Sequence, residues 1–200
     1  MRLNFSEDSP FENEISSHLL NEDVAKDKKA VRLVLEGDTE AFGELVAKYR
    51  KRIRALGYSF FHNESDVEDF VQDVFVKVFT ALSSFRWESS FSTWITRIAY
   101  NMACNAVNRK KEYTSFTGDL EIPVEGRGPE ELHLREATRQ AVLSSIENLP
   151  HKYHVCLDMY FFYDMTYGEI SEVTGFPVNT VKSHVFRAKK ILRENLKEYK

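Results

Sequence analysis

Residues 166–192 read TYGEISEVTGFPVNTVKSHVFRAKKIL, and they contain two helix signals separated by a turn signal. Thr166 and Glu169 have the spacing of a capping box, which closes the start of a helix. Gly175 is a residue type that ends helices, and Pro177 suits the first turn of the next helix. Apolar residues recur at helical spacing through that second helix. The pattern therefore predicts a helix-turn-helix unit.

The second helix of this unit has a polar outer face that suits the major groove of duplex DNA. Lys and Arg bond the O6 and N7 atoms of guanine, Asn and Ser reach base edges, and Phe contacts a thymine methyl group. The residues predicted to read or hold DNA are Asn179, Lys182, Ser183, His184, Phe186, Arg187 and Lys190. We place His184 on the flank of this face, where it would contact phosphate. The alternative is a solvated basic helix in an all-α domain.

The composition is that of a globular, mostly helical protein. Of 200 residues, 42% are hydrophobic and 29% are charged, and 15 Phe and 9 Tyr set the chain apart from disordered proteins, which are poor in aromatics. No run approaches about 18 apolar residues, and the acidic N-terminus lacks the apolar region of a secretory signal. Two cysteines exclude a disulfide framework and fit a reducing cytoplasm.

Charge is segregated along the chain, so the formal net charge of −4 is a poor guide to its partners. Residues 48–54 hold five bases and no acid, whereas residues 64–73 hold five acids and no base. From Val178 to the C-terminus there are seven Lys or Arg against two Glu. Because only the docking face of a DNA-binding domain need be positive, this basic C-terminal helix favours nucleic acid as a partner.

Apolar periodicity predicts an all-α chain with two small helical domains joined by a flexible linker. We interpret residues 1–27 as a mobile acidic N-terminal extension and residues 28–113 as a helical bundle. Residues 114–133 are rich in Gly, Pro and acids with little periodicity, which is typical of a linker. Residues 134–200 form the second domain, which contains the helix-turn-helix unit.

Two capping signals place helices in the first domain. Asp38 precedes an apolar series at helical spacing and is a good N-cap residue type. Ser65 and Glu68 have capping-box spacing, and they precede a helix with a long apolar face.

The first domain also carries an aromatic loop and a polar helix face that suit single-stranded nucleic acid. The aromatic residues Phe85, Trp87, Phe91 and Trp94 alternate with small polar residues, and a polar stripe follows at Arg97, Asn101, Asn105, Asn108 and Arg109. Aromatic rings stack on unpaired bases, Asn reads base edges, and basic residues hold the backbone. On the alternative interpretation, Phe91 and Trp94 are core residues and the Asn stripe merely faces solvent.

The chain resembles the bacterial RNA polymerase sigma factors of the extracytoplasmic-function group, which have only the region 2 and region 4 domains. The matching segments are DVEDFVQDVFVKVFTAL at residues 66–82, FRWESSFSTWITRIAYNMACNAVNRKK at residues 85–111, and ENLPHKYHVCLDMYFFYDMTYGEISEVTGFPVNTVKSHVFRAKKILRENL at residues 147–196. Two long motif blocks in the right order and separation make this resemblance specific.

The resemblance implies an alternative-type sigma factor that binds core RNA polymerase, recognises the −35 and −10 promoter elements and initiates transcription in the cytoplasm. Residues 28–113 correspond to region 2 and residues 134–200 to region 4. The implied contacts with the β′ clamp helices of the polymerase are Asp66, Asp69, Gln72 and Asp73. The β flap of the polymerase and an anti-sigma factor, often membrane-tethered in this group, are further implied partners.

The resemblance also assigns the two DNA-binding surfaces. The loop from Phe85 to Ser92 would capture a flipped base as the −10 element melts. The matches to the −10 recognition helix are Asn101, Asn105, Asn108 and Arg109. The matches to the −35 reading positions are Lys182, Ser183, Phe186 and Arg187.

The sequence gives little indication of catalysis, metal binding or thiol chemistry. No glycine-rich phosphate loop, nucleophile elbow or paired-carboxylate motif occurs, so we expect no enzymatic activity, no cofactor and no small-molecule substrate. His151, His154 and Cys156 imitate half of a zinc site, but no second cluster lies nearby in sequence, so we expect no metal. Cys104 is either a redox-active thiol or, as we expect, a small buried filler.

Two other functional classes remain open at this point. A helix-turn-helix repressor or activator, whose first domain senses a ligand or dimerises, would bind its operator without core polymerase. An RNA-binding or purely protein-interacting helical protein would leave Lys182 and Arg187 dispensable for promoter selection. The sigma-factor interpretation is favoured because it gives the acidic helix, the aromatic loop and the Asn stripe a role each.

Overall fold

The protein is a chain of α-helices in the computed structural model, and no strand occurs among the described residues, which are 10–61, 63–117, 142–146 and 148–197. The helices are α1 (Pro10–Leu35), α2 (Thr39–Tyr58), α3 (Glu64–Ala81), α4 (Phe91–Thr117), α5 (His151–Phe161), α6 (Tyr167–Thr174) and α7 (Val178–Asn195), with a 3-10 turn at Leu82–Ser84. This architecture confirms the predicted all-α class. Within the same ranges, we find no helix with the length and apolar character that a membrane crossing requires.

Side-chain caps fix where α2 and α3 begin. The Asp38 carboxylate accepts hydrogen bonds from two backbone N–H groups in the first turn of α2, at 2.9 and 3.2 Å, as predicted. The predicted cap at Ser65 is wrong, because α3 already begins at Glu64. The Asn63 side chain accepts from the N–H of Asp66 at 2.8 Å instead. Asn and Ser cap about equally well, so residue type alone does not distinguish two candidates this close together.

Helices α1 to α4 pack around one apolar core. Its fully buried side chains include Val31, Leu45, Ile53, Leu56, Val67, Val71, Val74, Val78, Ile95, Ala99 and Ala103. Burial of each Val, Leu or Ile side chain contributes about 1.5–3 kcal/mol to stability relative to exposure, so this core holds the bundle together. The outward faces of α3 and α4 are thereby left for other contacts.

Helix α1 crosses the predicted boundary between the extension and the first domain. We expected residues 1–27 to form a mobile extension, but α1 continues through residue 27 without a break. Asp27 is buried, and its carboxylate accepts hydrogen bonds from Tyr49 Oη (2.5 Å) and Lys48 Nζ (2.7 Å) on α2. These partners compensate the buried charge, so this part of α1 belongs to the bundle. Residues 1–9 lie outside the described residues.

The α6–turn–α7 unit has the predicted helix-turn-helix form. The Glu169 N–H donates to Thr166 Oγ1 at 3.2 Å and the Thr166 N–H donates to the Glu169 carboxylate at 2.9 Å, which completes the capping box. Gly175 ends α6 with φ of 75°, a left-handed conformation that glycine adopts without steric cost. Pro177 stands immediately before α7.

The two helical domains pack directly against each other. Helix α6 lies against α4, and buried side chains of both domains form a continuous apolar core. Tyr163 Oη donates to the Arg52 carbonyl oxygen at 3.1 Å, and the Arg52 guanidinium donates to the Tyr163 carbonyl oxygen at 3.5 Å. Thr93 Oγ1 donates to the Glu169 carboxylate at 3.0 Å. The predicted linker lies outside the described residues from residue 118 onward.

Candidate nucleic-acid interface

The outer face of α7 is an exposed polar helix surface of the second domain. The exposed side chains on it are Asn179, Lys182, Ser183, Phe186, Arg187 and Lys190, as the sequence predicts. Phe186 is 69% exposed, although a large apolar side chain is normally withdrawn from water. The opposite face is buried through Val181, Val185 and Ala188. Helix α7 therefore offers a cationic surface with an aromatic side chain at its centre.

Two cationic side chains of α7 are oriented by aromatic neighbours. Arg187 Nη1 donates a hydrogen bond to Tyr153 Oη on α5 at 3.2 Å. The Lys182 ammonium lies 5.9 Å from the centroid of the Tyr167 ring on α6. Because these contacts restrict long flexible side chains, less conformational entropy is lost when the side chains bind a ligand.

The prediction that His184 lies on the flank of α7 and contacts phosphate is wrong, because its side chain is buried. Its side chain is only 6% exposed, with Nδ1 3.7 Å from Cys156 Sγ. The imidazole packs against the rings of Tyr153 and Phe176, each with centroids 5.2 Å away. Burial, and then nearby Lys152 and Arg187, lower the pKa of His184. The neutral ring is therefore a core residue that supports α7 from behind.

The aromatic loop between α3 and α4 separates into core and surface residues. We expected Phe85, Trp87, Phe91 and Trp94 to serve DNA melting together, but Phe85 and Phe91 are buried, and Trp94 is half-buried. Phe85 lies 5.8 Å from Phe91 and 5.0 Å from Trp94, centroid to centroid. Trp87 is exposed and has a left-handed φ of 62°, an uncommon conformation for a residue other than glycine. Trp87 is thus the ring of this group that is most open to a base.

A cleft of about 240 Å³ lies beside Trp87. Its walls are Val24, Asp27, Lys28, Trp87, Glu88, Ser89, Ser90 and Phe91. The first three belong to α1 and the others to the loop and the start of α4. Sequence reasoning missed the α1 wall, because the charged and polar residues around Asp27 give no apolar series that would assign them to the bundle.

The polar stripe of α4 faces outward as predicted. Its exposed residues are Arg97, Asn101, Asn105, Asn108 and Arg109. The buried residues Ile95, Ala99 and Ala103 hold the other face of the helix in the core. The stripe lies on α4, and Trp87 lies in the loop that precedes this helix.

The outward face of α3 carries the predicted acidic residues and two apolar ones. Asp69, Gln72 and Asp73 are exposed, while Asp66 is half-buried and accepts from Asn63 Nδ2 at 2.8 Å. The large apolar side chains on this helix that face water are Val76 and Phe79, 64% and 48% exposed. Val76 follows Asp69 by seven residues and therefore extends the same face.

Three of the five basic residues in the run at residues 48–54 pair with acidic side chains of the first domain. Arg50 pairs with Glu68 at 2.5 Å, and Arg54 pairs with both Glu68 at 2.8 Å and Glu64. Lys48 pairs with Asp27 on α1. These ion pairs join α2 to α1 and to α3.

The aromatic run before the helix-turn-helix unit is partly core and partly surface. Met159 and Tyr163 are buried, whereas Phe161 and Phe162 are 41% and 64% exposed. The Lys189 ammonium lies 4.7 Å from the centroid of the Phe161 ring. Two adjacent exposed phenylalanines beside a lysine form a small apolar surface on the second domain.

The described residues show neither a cluster of metal ligands nor an activated thiol. Across the part of the chain that the structure describes, no three His, Cys, Asp or Glu side chains group as metal ligands do. His154 Nε2 is instead 3.2 Å from the Asp158 carboxylate. Burial raises the pKa of Cys156 to about 12 and also raises the pKa of Cys104, so neither thiol is activated as a nucleophile.

Family comparisons agree with this division into two domains. The family model Sigma-70 region 2 matches residues 45–113, and the model Sigma-70, region 4 matches residues 139–192. The chain is 33% identical to the RNA polymerase sigma-H factor of Pseudomonas aeruginosa over 86% of this chain and 94% of that protein. It is 35% identical to the ECF RNA polymerase sigma-E factor of Escherichia coli K12 over 83% of this chain and 92% of that protein.

Two solved structures share the fold. The sigma factor RpoE of Bartonella quintana, in complex with the anti-sigma factor NepR, superimposes with a TM-score of 0.64 at 20% identity, covering 80% of this chain and 98% of that one. CnrH, in complex with the cytosolic domain of CnrY, gives a TM-score of 0.62 at 24% identity, covering 86% and 98%.

Proposed function

The chain belongs to the sigma-70 family, in its extracytoplasmic-function group, and from this premise we propose how its surfaces divide the work of transcription initiation. The protein is an alternative sigma factor that binds core RNA polymerase, recognises −35 and −10 promoter elements and initiates DNA-templated transcription. The observation that carries the proposal is the pairing of two exposed polar helix faces, one on α4 and one on α7, in two different family domains.

Helix α7 reads the −35 element in the major groove. Lys182 and Arg187 donate to guanine O6 and N7, and Asn179 and Ser183 reach neighbouring base edges. Phe186 supplies an apolar contact with a thymine methyl group, which explains why it is left in water in the free protein. Lys190 holds the phosphate backbone.

Helix α4 and the loop before it take the −10 element as a single strand. Trp87 stacks on an unpaired base, because it is the accessible ring of the aromatic loop. Arg97, Asn101, Asn105, Asn108 and Arg109 line the helix face along which the strand continues. Phe85, Phe91 and Trp94 act indirectly, since their mutual packing supports the loop that carries Trp87.

Helix α3 docks on the β′ clamp helices of the polymerase. Asp69, Gln72 and Asp73 provide the polar half of its outward face, and Asp66 lies at its beginning. Val76 extends this face with an exposed apolar side chain. Exposure of such a side chain to water is unfavourable, and burial in an interface with the polymerase removes that cost. On the second domain, the exposed Phe161 and Phe162 suit the β flap in the same way.

The two domains separate when they engage a promoter. The −35 and −10 elements are about 25 base pairs apart, which is roughly 85 Å of duplex at about 3.4 Å per base pair. The direct packing of α6 on α4 places the two reading helices in one body. A compact domain of 200 residues has a radius of gyration of about 16 Å, so such a body is shorter than the distance between the two elements. An anti-sigma factor that holds the packed form would therefore keep the protein inactive.

Function rests on binding alone in this proposal. DNA opening draws on the free energy of strand capture within the polymerase complex, and the chain itself catalyses no reaction and takes no cofactor. We place it in the cytoplasm, where core polymerase and promoter DNA are found.

Run-off transcription on a genomic fragment library, with core polymerase in the presence and absence of the protein, tests the proposed function. Discrete new start sites that require the protein are expected, and they also reveal its promoter sequence. Sequence-specific binding by the protein alone, with no new start sites, would instead establish a conventional repressor or activator.

A further inference from the structure

The cleft beside Trp87 is built by two parts of the chain that are distant in sequence. Val24, Asp27 and Lys28 of α1 form one wall, and the loop from Trp87 to the start of α4 forms the other. Only the second wall lies within residues 45–113, which match the region 2 family model. Helix α1 therefore adds side chains to a surface that the proposed function assigns to the melted −10 strand.

Asp27 holds the α1 wall in place. Its buried carboxylate accepts from Tyr49 Oη at 2.5 Å and from Lys48 Nζ at 2.7 Å. Burial, together with the bond to Asp27, raises the pKa of the Tyr49 phenol, so Tyr49 remains a donor. The Tyr49 ring packs on Phe91 at 5.5 Å between centroids, which links α1 through α2 to the floor of the cleft. Both carboxylate oxygens of Asp27 are engaged by these bonds, and Asp27 acts as a positioning residue.

Lys28 is the polar residue of the α1 wall whose N–H donors can bind a ligand. The side chain is exposed, and its ammonium lies 5.7 Å from the centroid of the Trp87 ring. Among the residues that line the cleft, all of which the structure describes, Lys28 carries the single positive charge. An ammonium has three N–H donors and no acceptor, so it selects ligands by their acceptor atoms.

We propose that Lys28 is a base-specificity residue of this cleft, and the inference rests on the proposed function of the −10 surface. An unpaired base stacks on Trp87, and Lys28 donates to a carbonyl oxygen on its edge. Carbonyl oxygens are present on thymine, cytosine and guanine but not on adenine, so Lys28 favours those three bases over adenine.

The test uses holoenzyme made from core polymerase and the full chain, with single-stranded oligonucleotides that carry the −10 non-template sequence of a promoter found by run-off transcription. A set with one abasic site at each position locates the base that enters the cleft. Loss of that base is expected to weaken binding about tenfold or more, a typical effect for a stacked base. At that position, oligonucleotides with each of the four bases then measure specificity.

Lys28→Ala is expected to weaken binding of the intact oligonucleotide about tenfold or more, the effect of one charged hydrogen bond, and to leave binding of the abasic oligonucleotide unchanged. The preference for a carbonyl-bearing base over adenine should fall to near one. Lys29→Ala is the matched control, because it removes the same charge from the next exposed position of α1.

Three results would overturn the inference while the protein still transcribes. In the first, Lys28→Ala loses as much affinity for the abasic oligonucleotide as for the intact one. In the second, Lys29→Ala loses as much affinity as Lys28→Ala. In the third, no abasic site weakens binding by the wild-type protein. A holoenzyme that binds none of the oligonucleotides and starts no transcripts would contradict the proposed function itself, and the inference would fall with it.

Discussion

His184 and Arg187 show what decides the role of a single residue on α7. Both are polar residues on the same helix, yet Arg187 projects to the surface beside Tyr153 and His184 is enclosed by Tyr153, Phe176 and Cys156. Helical periodicity predicts the direction of a side chain around the helix axis to within about one residue position. Which polar residue at the border of a face is buried depends on the neighbouring elements that pack against the helix. The sequence therefore predicted which polar residues of α7 are exposed, with the exception of His184.

At the −35 element, Lys182→Ala and Arg187→Ala should each cost about 1–3 kcal/mol of binding free energy, because each removes donors to a base edge. Lys197→Ala, beyond the end of α7, is a charge-matched control and should have little effect. Fluorescence anisotropy of holoenzyme on −35 duplexes measures all three. Unchanged binding by both face variants would contradict the assignment of α7.

The protonation of His184 should couple stability to pH. Its folded-state pKa is lowered by burial, so the unfolded chain binds the proton more tightly and stability falls as pH drops through about 6.5, the ordinary value for histidine. His184→Gln removes this titration. The difference in free energy of unfolding between wild type and variant, from urea denaturation, should therefore favour the wild type more at pH 7.5 than at pH 5.5. A difference that is independent of pH would contradict it.

Helix α1 is the element that the sequence describes least well. Its inward face combines Val31 and Ala30 with the buried charge of Asp27, so the apolar series that identifies α2 and α3 is interrupted. What assigns α1 to the bundle is a long-range pair of hydrogen bonds to α2. No local pattern encodes such a pair, whereas α6 was predictable from its capping box and apolar face, and α3 was predictable from its apolar face alone.

Asp27→Ala should lower the free energy of unfolding by about 1–3 kcal/mol, because Tyr49 Oη would be left buried without its acceptor. Asp23→Ala is the matched control: that carboxylate is 61% exposed and 3.5 Å from the same lysine, and exposed ion pairs contribute about 0–1 kcal/mol. Urea denaturation followed by circular dichroism measures both. Equal effects of the two substitutions would show that Asp27 does not anchor α1.

At the scale of the whole molecule, the sequence predicted two domains but not their contact. Tyr163 follows α5 in a run of aromatics that looks like ordinary core, and its bonds to Arg52 join residues 111 positions apart. The Thr93–Glu169 bond likewise uses a carboxylate that the sequence had assigned to a helix cap. Glu169 makes both a local contact in its helix cap and a long-range contact with the other domain. A sequence pattern reveals only the local contact.

A reversible cross-link tests whether the packed form must open. Thr93→Cys combined with Glu169→Cys places two thiols beside the hydrogen bond that now joins the domains. Because a cysteine side chain is shorter than that of glutamate, a short bis-methanethiosulfonate reagent joins the two thiols through two reducible mixed disulfides. The cross-linked double variant should lose run-off transcription, and reduction should restore it. Each single variant treated with the same reagent is the control for loss of the capping box and of Thr93. Full activity of the cross-linked protein would show that opening is unnecessary.

The central claim is that one chain reads two separated DNA elements, one as duplex and one as a melted strand, and does so only with core polymerase. Footprinting of a promoter identified by run-off transcription, combined with permanganate probing of unpaired thymines, tests it most directly. We expect protection at two elements about 25 base pairs apart, roughly two and a half turns of duplex, with reactive thymines at the downstream element only when polymerase and protein are both present. A single protected site formed by the protein alone, with no reactive thymines, would contradict the account.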